Sequence, residues 1–160
     1  MIVVSNTTPL SELAKVGKMY LLRDVFGRVV IPVEVYDEVT TGNHPAVQQV
    51  QSANWIEVRR VSYPEETVNL QMETGLDLGE SAAIALAKEL KAQRILIDES
   101  AGRTVAKARD LPVTGTVGVL LIAKQQGLIS KVKPILDELI AVGKRISPEL
   151  YREVLAIANE

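Results

Sequence analysis

The chain has no cysteine and only one histidine, His44, in 160 residues. The first absence excludes a disulfide scaffold, a zinc finger, an iron–sulfur cluster and a thiol nucleophile. The second weighs against Ser-His-Asp catalysis and against any site needing two imidazole ligands. Aromatic residues are scarce, at 4%, which disfavours a module that binds bases by stacking. An excess of positive charge is also missing. The net charge is −2 and the pI about 5.6, which argues against a stand-alone nucleic-acid binder driven by bulk charge. The longest apolar runs, such as Val117–Ala123 with Gly118 inside it, fall far short of the ~20 residues of a membrane span. The opening MIVVSNTTP has neither the basic region nor the apolar stretch of a signal peptide. No membrane association and a cytoplasmic location are the expectation.

What is present is a soluble globular composition, 47% apolar and 24% charged. The length suits one domain with its own core. No internal repeat, low-complexity tract or linker divides the chain, so a single domain over residues 1–160 is expected.

Short β-branched runs alternate with helical periodicity along the whole chain, an α/β signature. Strands are expected at Ile2–Val4, Val29–Ile31, Ile56–Val58, Arg94–Ile97 and Leu111–Val113. Between them the pattern predicts helices. One has Thr8 as N-cap and Pro9 at its first position, and stops at Gly17. Others run from about Lys18 to Phe26, Pro32 to Thr40, Pro45 to Ala53, Pro64 to Glu73, Glu80 to Leu90 and Ser100 to Arg109. Three more cover about Val117–Gln126, Lys133–Val142 and Pro148–Ala158. The architecture expected is a three-layer α/β/α sandwich around a central, mostly parallel sheet.

In such a sheet, function sits outside the carboxyl ends of the strands. Asn6 follows the first strand, and Asp98 and Glu99 follow the fourth. Each also reads as a helix cap. Glu80 shares a helical stripe with Ala83, Ile84 and Ala87, the face turned to the sheet. A carboxylate there is costly unless paired, protonated or bound to a cation, although an acid in a first turn also favours the helix dipole. Glu38 lies between Val35 and Val39 and borders a buried stripe, whereas Glu34 and Asp37 read as a solvated acidic face. Three carboxylates and one amide from separate elements, Glu38, Glu80, Asp98 and Asn6, are therefore expected to converge at one end of the sheet. Hard oxygen donors without histidine suit Mg²⁺ or Mn²⁺. Such a site suits phosphodiester hydrolysis by water, and the metal would offset repulsion between an acidic protein and RNA.

The blocks Ile2–Leu10, Ile31–Val39, Leu76–Ala85, Ile95–Ala106 and Val113–Leu120 resemble, in order, those of the PIN domain. The likeness is greatest to single-domain, toxin-like (VapC-like) ribonucleases, and among them to the DUF3368-type subfamily with its Gly-Arg and Thr-Gly-Thr-x-Gly patterns. The resemblance implies a Mg²⁺- or Mn²⁺-dependent endoribonuclease with RNA as substrate. Small members of bacteria and archaea are typically the toxin of a type II toxin–antitoxin pair, usually homodimeric and held inactive by a small antitoxin. Glu38, Glu80 and Asp98 match the family acids. Asn6 stands where the family has Asp, so it would ligate through an uncharged oxygen. Gly102 and Arg103 match the subfamily pattern, and the resemblance makes Arg103 a candidate for phosphate contact and Thr116 for lining the site, although Arg103 also reads as half of a surface ion pair and Thr116 as an N-cap. Glu99, a further site-lining candidate, departs from the second aspartate expected in close relatives.

Asn6 keeps a second reading open, a catalytically weakened PIN fold that binds RNA or a protein without cleavage. A flavodoxin-like or receiver domain fits poorly. The latter needs an acidic pair after the first strand, where this chain has Ser5-Asn6, and no phosphate-cradling glycine loop is present. The amphipathic segments Ile135–Ile140 and Leu150–Ile157 suit either a partner interface or the core.

Overall fold

Strand β1 (Val3–Ser5) is buried along its whole length, and its neighbours dictate why. It pairs in parallel on both sides, through Val4 to Val30 and through Val3, Val4 and Ser5 to Arg94, Ile95 and Leu96. The computed structural model describes residues 1–160. In chain order β1 is followed by α1 (Thr7–Lys15), α2 (Tyr20–Phe26), β2 (Val29–Pro32), α3 (Val33–Val39), α4 (Val47–Ser52) and β3 (Ile56–Arg59). Then come α5 (Pro64–Thr74), α6 (Leu78–Glu89), β4 (Arg94–Leu96), α7 (Ser100–Ala108), β5 (Val113–Thr114), α8 (Thr116–Gln125), α9 (Lys133–Ala141) and α10 (Pro148–Ile157).

The five strands form one all-parallel sheet in the order β3-β2-β1-β4-β5. Alternate residues feed two separate cores, as the two-residue period of a strand requires. Val3, Val29, Ile31 and Leu96 pack with side chains of α1–α4 and α8–α10. Val4, Val30, Ile95 and Ile97 pack with those of α5, α6 and α7. Both sheet faces are therefore covered, which explains why the central strands β1 and β2 read as apolar runs, while the edge strand β3 alternates apolar and charged residues. The fold is the expected α/β/α sandwich, and no helix is long and apolar enough to cross a membrane.

The boundaries differ from the sequence reading at instructive places. Helix α1 begins at Thr7, so Asn6 rather than Thr8 holds the N-cap position, and its side chain caps nothing. Helix α6 begins at Leu78, two residues early, because Asp77 caps it by accepting the Glu80 N–H at 2.8 Å. Helix α4 begins at Val47; before it, His44 Nδ1 accepts the Ala46 N–H at 3.2 Å in a turn. The last strand lies at Val113–Thr114, since Leu111 is buried but lies ahead of the register with Ile95 and Leu96. Ile135, Leu136 and Leu139 of α9 are core, whereas α10 buries Val154 but leaves Leu150 and Ile157 exposed.

From β1 the chain winds outward through β2 to β3, then crosses back to β4 and on to β5. The winding reverses between β1 and β4. Asn6 and the Asp98-Glu99 pair sit at the carboxyl ends of these two adjacent strands.

Candidate active site

Asn6 is fixed by its backbone. Its N–H donates to Leu96 O at 2.9 Å, continuing the β1–β4 pairing beyond β1. The side chain is 3% exposed. Its Nδ2 donates to Glu99 Oε2 at 3.4 Å, and the Thr8 hydroxyl donates to the other Glu99 oxygen. Asn6 Oδ1 points the other way, toward α3 and α6. A Cβ built on Gly79 would stand 3.5 Å from this oxygen and 2.8 Å from Glu38 Oε2. Glu38 borders the buried Val35 and Val39 of α3, as its position predicts, and is itself exposed. It reaches the site because α3 packs on α6, and only glycine at position 79 leaves room for its carboxylate there.

Glu80 is the most unusual group of the cluster. The sequence Asp77-Leu78-Gly79-Glu80 has the form of a capping box, in which Asp and Glu would each cap the other's N–H. Only half of it forms. Asp77 accepts the Glu80 N–H, but the Glu80 carboxyl makes neither hydrogen bond nor ion pair. It is buried and lies 3.7 Å from where a Cβ at Gly102 would stand. Burial, reinforced by the nearby Asp77, Glu99 and Glu38 charges, pushes its pKa up to about 7. A first-turn acid serving the helix dipole would face solvent; this one faces other acids.

Asp98 points elsewhere. Oδ1 accepts the Thr116 N–H at 2.7 Å, and Oδ2 accepts the Thr116 hydroxyl at 2.6 Å and Lys144 Nζ at 3.4 Å. Asp98 therefore ties the start of α8 rather than capping α7, and Thr116 is the first residue of α8 rather than its N-cap. A Cβ at Gly115 would fall 2.7 Å from Asp98 Oδ1 and 3.0 Å from Arg103 Nη1, so glycine is required where these two groups meet. Arg103 forms no surface ion pair; its Nη1 donates to Ile97 O at 3.0 Å.

The structure thus brings Asn6, Glu38, Glu80 and Glu99 together and sends Asp98, Thr116 and Arg103 to the adjoining side of β4. No three acids stand close enough to surround an ion without movement. The donor chemistry nevertheless fits a hard divalent cation: a buried carboxyl with no cationic partner, two further carboxylates and a free amide oxygen. Thr7 Oγ1 and Ser81 Oγ, which follow Asn6 and Glu80 in the chain, are buried without a partner.

A family model described as a PIN domain matches residues 2–160. The chain belongs to the PIN-domain family. No curated protein matches it closely enough to count as a relative. PIN domains are typically nucleases that use divalent metal ions, so nuclease-type hydrolysis is the coarse activity that membership carries.

Two residues of this PIN domain escaped the sequence reading. Asp77 was legible in principle, since an acid three residues before Glu80 is a capping signal. Lys144 was not, because it lies 46 residues from Asp98 in a loop with no motif. His44, the sole histidine, lies in the turn before α4 and takes no part in the site.

Proposed function

We propose that this PIN domain is a Mg²⁺- or Mn²⁺-dependent endoribonuclease that hydrolyses RNA phosphodiester bonds, acting as the toxin of a toxin–antitoxin pair. The observation that carries the reading is the Glu80 carboxyl, buried at the switch point among acids and without a counter-cation. In this reading Glu80, Glu38 and Glu99 hold the ion together with Asn6 Oδ1. When bound, the ion supplies Lewis acidity toward water and neutralises charge at the scissile phosphate.

The protein's own groups prepare that chemistry. Glu80, poised near neutrality, would have to release its proton to serve as a ligand. Asn6 and Thr8 orient Glu99 through their hydrogen bonds. Asp98 serves as a positioning residue that anchors α8 and holds Lys144 at the edge of the site. Arg103, fixed by Ile97 O, keeps donors free for a phosphate. Exposed Tyr63, Val68, Met72 and Leu78 on and beside α5 leave apolar surface that suits an antitoxin or a second copy of the chain.

RNA cleavage tests the reading. Wild type is expected to cut RNA in Mn²⁺ or Mg²⁺ and not in EDTA, and Glu80→Gln is expected to be silent. Cutting that survives EDTA, or survives Glu80→Gln, contradicts it. The second reading, a binding module without cleavage, draws on the missing charge at Asn6 and the unassembled acids. It requires a wild type that stays silent in every metal while Asn6→Asp becomes active.

A further inference from the structure

On the far side of Asp98 lies a groove of about 590 Å³, bounded by β4, β5, α8, α10 and the loop before α10. Four cations line it: Arg94, Arg103, Lys144 and Arg145. Only two acids do, Asp98 and Glu153. The chain as a whole has fewer basic than acidic residues, 18 against 20, so this local excess runs against its overall balance. Arg94, Arg103 and Arg145 pair with no carboxylate. Two of them are nevertheless held in place. Arg103 donates to Ile97 O and Arg94 to the Thr114 hydroxyl. A half-buried guanidinium without a counter-ion is unfavourable, and an incoming anion relieves it. Apolar side chains also line it, among them Val117, Leu121 and the exposed Ile157.

We propose that this groove is the track for the backbone of single-stranded RNA. The cations take successive phosphates, and the apolar side chains take the sugar and base faces. The proposal rests on the ribonuclease reading, because Asp98 lines the inner end of the groove and Glu99, the next residue, belongs to the acid cluster. No aromatic side chain lines the groove. Binding is therefore electrostatic, tolerant of sequence and steeply dependent on salt. Fixed guanidinium forks match phosphate oxygens in pairs, which favours a polyphosphodiester over a flexible acidic peptide.

The test is fluorescence anisotropy of a short, labelled single-stranded RNA in EDTA, where nothing is cut, across a salt series. Arg94→Gln and Arg145→Gln are each expected to weaken binding about 3- to 10-fold. Each is also expected to flatten the log–log salt slope by about 0.7 for every phosphate that is no longer neutralised. Lys107→Gln, on the exposed face of α7, is expected to bind as wild type does. Arg145 is exposed, so its variant keeps the test valid even if Arg94→Gln fails to fold. A double variant that binds with wild-type affinity and slope overturns the proposal. So does an oligoglutamate that displaces RNA as well as unlabelled RNA does, which would assign the groove to a protein. Cleavage of the same RNA by wild type in Mn²⁺ separates the two failures. If cutting persists and the double variant still binds normally, only the groove is wrong. If wild type neither cuts nor binds, the ribonuclease reading falls and the groove with it.

Discussion

Lys144 Nζ stands 3.4 Å from Asp98 Oδ2, and both side chains are nearly buried, at 13% and 14% exposure. This pair joins the loop after α9 to the end of β4. With the two Thr116 bonds, it makes Asp98 the tie between sheet, α8 and the C-terminal helices. Lys144→Met is expected to cost about 1–2 kcal/mol, since Asp98 retains Thr116. Asp98→Ala removes all three bonds and is expected to cost roughly 2–4 kcal/mol. Urea denaturation of both single variants and the double should give a coupling of about 1 kcal/mol. Additive effects would mean that the pair does not act as a unit.

Glu80 makes stability depend on pH in a defined sense. Its folded pKa, about 7, lies above the ordinary 4.5. Below about pH 4.5 the group is protonated in both folded and unfolded chains and changes nothing. As pH rises toward 7 the unfolded chain ionises while the folded one keeps its proton, so stability falls. Above 7 the loss is complete. The loss is roughly 1–3 kcal/mol. Denaturation in EDTA across this range should show the decline in wild type and its absence in Glu80→Gln. Equal pH profiles for the two proteins would contradict the burial of this carboxyl.

Asn6 Nδ2 donates a hydrogen bond to Glu99 that an aspartate cannot make. Asn6→Asp therefore sets two carboxylates against each other. In EDTA the variant is expected to be less stable than wild type by about 1–2 kcal/mol. In saturating Mn²⁺ that deficit should vanish, because the added charge becomes a ligand. Thermal melts in the two media measure it. A deficit independent of metal would remove Asn6 from the ion site.

Gly79→Ala separates fold from function. Alanine is favoured over glycine in a helix by about 0.5–1 kcal/mol. The added Cβ would crowd the tip of Glu38, 2.8 Å away, while Asn6 Oδ1 at 3.5 Å and Asp77 Oδ1 at 3.7 Å stay at ordinary contact distance, and the exposed Glu38 side chain is free to swing aside. The variant should melt at or above the wild-type temperature yet bind Mn²⁺ about tenfold more weakly. Unchanged affinity would show that Glu38 is not a ligand.

The layered fold was legible because the central strands β1 and β2 are short, β-branched and buried throughout, as at Val3–Val4 and Val29–Ile31. Asn6 was legible as a polar group at the carboxyl end of a strand, and Glu80 as one on the helical stripe that faces the sheet. The division of labour within Asp98-Glu99 was not. Which carboxylate turns to Thr116 and which to Asn6 depends on how α7 leaves β4, and adjacent acids carry no periodicity to reveal it. The start of α6 was hidden by Gly79, which reads as a loop residue. Lys144 was invisible, since a loop lysine gains its meaning only from the turn that brings it to Asp98.

The central claim is that the acids around Glu80 form a divalent-cation site, and calorimetric titration of Mn²⁺ into the protein near pH 7.5 tests it most directly. The arms are wild type, Glu80→Gln and Asp98→Asn. The expected result is saturable binding by wild type, with proton release, lost in Glu80→Gln and retained in Asp98→Asn. Binding that survives Glu80→Gln, or no binding by wild type at all, contradicts the claim.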